Sequence, residues 1–135
     1  MKKFLPIFLV IALLSIVLTS CKKDDPEPTK TDLLTQKTWI GISEDYYVNG
    51  QLIETYDLTD MQLTFKTDKT YNYSQGDING NGTWSFLENE TRLSLTEGDE
   101  TIDRYIEILS ETSLVISDTG VDVDGTSKDV MSFKH

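Results

Sequence analysis

The sequence predicts an all-β domain, an antiparallel up-and-down barrel of eight or nine strands, and three observations predict it. Beyond residue 20 there is no alanine, while Thr, Val, Ile, Phe, Tyr and Trp fill 40 of 115 positions, a composition that suits strands better than helices. Apolar residues alternate with period two in short runs separated by turn residues. Connections between runs are short, so successive strands pair antiparallel, and closing the sheet removes edges that would aggregate.

The elements follow in chain order. Residues 1–20 read as a targeting segment: Lys2 and Lys3 precede an apolar stretch, Phe4 to Leu18, interrupted only by Pro6 and Ser15. It is short for a membrane span, which takes about 20 residues. The segment ends in Leu18-Thr19-Ser20-Cys21, which resembles the lipobox of bacterial lipoproteins. The expectation is a signal peptide over 1–20 and a mature chain beginning at Cys21, the lipidation residue. Two or more palmitate-like chains, at about 0.8 kcal/mol per buried CH₂, would anchor such a chain without a spanning helix.

Residues 21–31 form an expected tether. Lys22-Lys23-Asp24-Asp25-Pro26-Glu27-Pro28 contains no apolar side chain. Its Lys-Asp-Asp run resembles a surface-export signal of certain Gram-negative lipoproteins, which implies an outer-membrane lipoprotein exposed on the cell surface.

Residues 32–135 are the barrel domain. Asp32 to Gln36 suggests one helical turn capped by Asp32. Trp39 to Val48 is the first strand, and Asn49-Gly50 is a two-residue hairpin signal leading into Gln51 to Asp57. Met61 to Lys66 and Thr70 to Ser74 make a second hairpin. Asp77 to Gly82 reads as a glycine and asparagine loop, followed by Thr83 to Phe86 with Trp84 and Phe86 on one face. Arg92 to Thr96, Thr101 to Leu109, Ser113 to Ser117 and Val130 to Phe133 complete the set. Ile102, Ile106 and Ile108 share a side of their strand, and an acidic loop spans Asp118 to Asp129.

Charge and composition exclude several functions. The chain has 12 Lys and Arg against 23 Asp and Glu, a net charge of −11. Removing residues 1–20 takes away two lysines and no acid, giving −13. That sign repels nucleic acid backbones. A single Cys and a single His, His135, leave no material for a Ser-His-Asp triad, a Cys-His pair or a polyhistidine metal site. The chain is therefore expected not to be an enzyme.

Leu33-Leu34-Thr35, Trp39, Leu63 through Tyr71, Gly82-Thr83-Trp84-Ser85, Leu93-Ser94-Leu95 and Leu114-Val115-Ile116 together resemble the lipocalin-like domain of small bacterial lipoproteins. The resemblance covers about residues 31–134 and implies a barrel with an apolar interior and no catalytic residues. It also implies that Trp39 plugs the closed end, with Arg104 as the residue that packs on it.

Candidate site residues follow. Tyr71, Tyr73, Trp84, Phe86 and Tyr105 are expected to line a ligand site, although aromatic residues on alternating positions also serve as core. Asp77, Asn79 and Asn81, with Glu88 eleven positions after Asp77, formally match a calcium-loop pattern, against which stands the strand-like alternation that follows. Arg104 lies on the face of Ile102, where it needs a carboxylate, an indole or water. The expected function is binding of a small apolar or amphipathic ligand at the open end of a membrane-anchored barrel. The alternative is a non-enzymatic envelope protein with a filled barrel that contacts proteins or glycans.

Overall fold

The structure, a computed structural model, describes residues 26–123 and 125–135. The expected signal peptide, Cys21 and the first part of the tether lie outside these residues. The elements are α1 (Lys30–Thr35), β1 (Trp39–Val48), β2 (Gln51–Asp57), β3 (Met61–Phe65), β4 (Thr70–Gln75), β5 (Ile78–Leu87), β6 (Arg92–Glu97), β7 (Glu100–Leu109), β8 (Ser113–Asp122) and β9 (Gly125–Lys134).

All neighbouring strands pair antiparallel, from β3 through to β9, and β9 returns to pair with β1 over Ile40↔Lys134 to Val48↔Ser127. Eight strands thus close the antiparallel up-and-down barrel that the sequence predicts, and β2 is a ninth, additional strand. Both β2 and β3 pair with β1 on the side that β9 does not use, β3 at Trp39↔Leu63 and β2 from Ser43↔Asp57 to Val48↔Gln51. They form one path broken at Leu58 to Asp60. Buried Leu58 fixes the break: its N–H donates to the Ile42 carbonyl at 3.2 Å and its carbonyl accepts from Met61 at 2.8 Å. A Cβ at Gly41 would collide with the Leu58 carbonyl, so only glycine permits this approach. Above the break β2 leaves the barrel, and all seven of its residues are exposed.

Alternation divides the strands into an inner and an outer set. The inner set, Trp39, Leu63, Phe65, Tyr71, Trp84, Leu93, Leu114, Ile116 and Phe133, joins Leu34 of α1 in one core. Helix α1 covers the closed end. Thr29, not Asp32, is its cap: the Thr29 hydroxyl accepts from the Asp32 N–H at 3.1 Å, and the Asp32 carboxylate accepts from the Thr29 N–H at 2.9 Å. Asp32 is instead the third residue of a capping box, so the helix starts two residues before the expected boundary.

Three expectations about strand extent are corrected. Asp77 to Gly82 is not a loop, because β5 begins at Ile78 directly after the Gly76-Asp77 turn. The acidic stretch 118–129 is mostly strand, since β8 and β9 pair as far as Asp122↔Gly125. Ile108 does not share a side with Ile102 and Ile106, because an irregularity between Ile106 and Ile108 turns it outward, where it is exposed.

Candidate functional site

Helix α1 lies against β3 and β7 and adds Leu34 to the core. Beside it the indole N–H of Trp39 donates to the Leu34 carbonyl at 2.9 Å, and the His135 ring stacks on the indole with centroids 3.8 Å apart. Trp39 therefore sits, fully buried, at the end of the barrel that α1 covers. Arg104 does not pack on it; the chain's single histidine takes that place.

Trp84 and Phe86 share the inner face of β5, but they belong to the closed half. Trp84 is 2% exposed, meets Phe65 and Phe86 edge-on, and donates its indole N–H to the Lys66 carbonyl at 3.0 Å. The Lys69 ammonium lies 3.9 Å above its ring. These aromatics are core and do not line the cavity described next. Tyr105 departs further from expectation: its partner across β6 is Arg92, both face outward, and the guanidinium covers its ring at 4.8 Å.

Above this core, toward the turns that join β4 to β5 and β6 to β7, lies a cavity of about 230 Å³. Its walls are Met61 and Leu63 of β3, Tyr71 and Tyr73 of β4, Leu95 of β6, Ile102 of β7, Ile116 of β8 and Met131 of β9. Glu97, Glu100 and Arg104 supply its charged groups. Of the five expected ligand residues, the structure brings Tyr71 and Tyr73 together here.

The sequence of β5 explains how those two rings are held. Gly82 pairs with Tyr71 and Gly80 with Tyr73. A Cβ at Gly80 would strike the Tyr73 ring, and one at Gly82 would strike the Thr96 carbonyl and approach the Tyr71 ring. The glycines thus leave room for aromatic rings to lie over their backbone. Asn79 and Asn81 alternate with them onto the outer face, and Glu88 lies past the far end of the strand, where it pairs with Arg92 at 3.1 Å. The calcium loop formally present in the sequence is thus dismantled by a ten-residue strand.

Tyr73 reaches over β5 and donates to Glu97 at 3.2 Å, which raises the phenol above its ordinary pKa. Burial, and after it the Glu97 charge, raises Tyr71. Arg104, paired with Leu93 on the inner face, lies deeper in the cavity with its side chain 18% exposed, and its Nη1 is 3.7 Å from Asp118. At that distance it forms an ion pair but no hydrogen bond. The sequence alternatives for Arg104 resolve in favour of a carboxylate partner. Sequence reading missed Glu97 and Glu100, although the alternation that places Leu93 and Leu95 inward extends to Glu97.

A larger groove, about 610 Å³, lies outside the barrel on β1, β8 and β9, between Tyr47, Val121, Lys128 and Val130. Among the described residues no group of three or more acidic, His or Cys side chains is arranged to hold a metal, and no helix is long and apolar enough to cross a membrane.

No curated protein matches the chain. A solved DUF4847 family protein from Bacteroides vulgatus has a similar fold, with a TM-score of 0.54 at 11% identity over 79% of this chain and 97% of that one. A deswapped triple mutant of bovine odorant binding protein aligns at a TM-score of 0.43 and 16% identity over 73% of this chain and 72% of that one. The family model for DUF5004, a domain of unknown function, matches residues 24–114, and the chain belongs to that family.

Proposed function

We propose that the protein is a lipid-anchored binding module that holds a small apolar or amphipathic molecule at the open end of its barrel. The observation that carries this reading is the cavity of about 230 Å³ between Tyr71, Tyr73, Leu95, Ile102 and Met131. Its apolar walls with a few convergent polar groups have the composition of a ligand site. The volume falls below the roughly 300 to 1,000 Å³ of drug-sized sites, so the occupant is small or enters by one end only. The polar groups that would orient a ligand there are the carboxylates of Glu97 and Glu100, the Arg104 guanidinium and the two phenols.

The Leu18-Thr19-Ser20-Cys21 sequence supports an anchor at Cys21, and the Lys23-Asp24-Asp25 run that follows supports an outer-membrane location and display at the cell surface. Cys21→Ser should release the protein from the membrane fraction, and retention there would reject the anchor. Native mass spectrometry of protein purified from its host membrane should reveal a retained small molecule. A Met131→Trp variant, which fills the cavity, should lose it; retention of the same molecule by that variant would count against the site.

A second reading, an envelope interaction protein contacting proteins or glycans, is favoured by β2. All of its residues are exposed, including Leu52, Ile53 and Tyr56, and it is hydrogen-bonded as a strand to β1 alone among the described residues. Such an edge can accept another strand.

A further inference from the structure

The charged groups around the cavity are distributed in a way that a simple apolar container would not need. Glu97 of β6 and Glu100 of β7 are direct cross-strand partners, and their inner-face neighbours are Leu95↔Ile102 and Leu93↔Arg104. Asp118 of β8 and Asp129 of β9 are likewise direct partners, in alternation with the buried Leu114 and Ile116 and so on the inner face. Like charges placed directly opposite each other destabilise a sheet. Each such pair costs the fold stability, and the Glu97 and Glu100 pair lines the cavity.

Among the described residues one cation, Arg104, answers them. Arg104 is ion-paired with Asp118, while neither Glu97 nor Glu100 has an ion pair among the described residues. An anion entering the cavity would gain Arg104 at the expense of Asp118 and would meet the glutamates on the way. An ammonium group would meet the opposite field. It would find two carboxylates at the rim, the Tyr73 hydroxyl already directed at one of them, and the faces of two tyrosines whose rings stack with centroids 6.4 Å apart.

We infer that the cavity selects amphipathic cations: an apolar tail lies against Leu63, Leu95 and Ile116, and an organic ammonium head is held between Glu97 and Glu100. This rests on the cavity being a ligand site, as proposed above. Glu97 and Glu100 are then the specificity-determining residues, because Arg104, the cation of the cavity lining, is already ion-paired with Asp118 while the two glutamates have no ion pair among the described residues.

The test is calorimetric titration of the purified protein with three probes of one tail length: octylammonium, octanol and octanoate. Octylammonium should bind about tenfold more tightly than octanol at low salt, and octanoate more weakly than either. At 1 M salt, where screening acts within about 3 Å, the preference should largely disappear. A Glu97→Gln, Glu100→Gln variant should lose the preference for the amine, its octylammonium affinity falling to that for octanol, while an unchanged circular dichroism spectrum and unfolding midpoint report that the barrel is intact. Equal binding of all three probes would overturn the charge inference and leave the cavity reading standing. Tighter binding of octanoate, abolished by Arg104→Met, would overturn it in favour of an anion site. Binding of none of the three would remove the cavity reading and this inference with it.

Discussion

A methyl group added at Gly80 would occupy space that the Tyr73 ring already fills, so the two residues are coupled although neither is charged. Gly80→Ala should destabilise the protein by about 1 to 3 kcal/mol, the usual range for overpacking, as measured by urea unfolding. In a Tyr73→Ala background the same substitution should cost much less. Additive losses would mean that the ring does not lie over the glycine. Glu107 offers a titration test of the outer face. Its carboxylate accepts from Lys128 at 2.8 Å and from the buried Ser117 hydroxyl at 2.7 Å, and these bonds, the lysine's first, lower its pKa below the ordinary 4.5. A depressed carboxylate pKa contributes stability that is present above the unfolded value and lost as pH falls through the folded value. Glu107→Gln should therefore reduce stability at neutral pH and flatten the decline below about pH 4.5. Parallel pH profiles for the two proteins would contradict the assignment.

At the scale of elements, the capping box of α1 is open to a direct test. Thr29→Ala removes the hydroxyl that accepts from Asp32 and should cost about 1 kcal/mol in urea unfolding. A substitution at Asp32 should cost a similar amount, because both residues belong to the box. The helix was legible in the sequence but its cap was not, because Thr29 lies in a stretch whose prolines and charges look like tether. The strands show a similar division. β1 and β2 could be read almost to the residue from Trp39 and Asn49-Gly50, and β3 and β4 from alternation, because the inner residues of β3 and β4 are large and apolar. β5 could not, because its first inner positions are Gly80 and Gly82, and glycine registers as a turn unless the rings covering it are known. The β7 irregularity at Glu107 was also hidden, since one extra residue reverses the parity of all that follows. The site shared these limits: Tyr71 and Tyr73 were legible as inner aromatics. Whether an inner residue is core or cavity wall depends on its height above α1, which separated Trp84 from Tyr73 and which no local pattern contains.

The molecule as a whole consists of a closed body and a projecting sheet, and the two should differ in stability. The body holds the core that joins Leu34 to Phe65, Leu93, Leu114 and Phe133, so its strands open only when most of that apolar surface is exposed to water. The projecting part is built from the second half of β1, from β2 and from the hairpin ends of β8 and β9, and β2 adds no buried side chain. Backbone hydrogen bonds to β1 are then almost all that retains β2. Each contributes only about 0.5 to 1.5 kcal/mol net. Native-state hydrogen exchange should accordingly find amides of β3, β6 and the first half of β8 exchanging near the global limit. The β2 amides should exchange through a local opening that is insensitive to low urea. If β2 instead exchanges with the same free energy and the same urea dependence as β6, the projecting sheet and the barrel unfold as one unit. The free edge would then be a rigid platform rather than an independently opening flap.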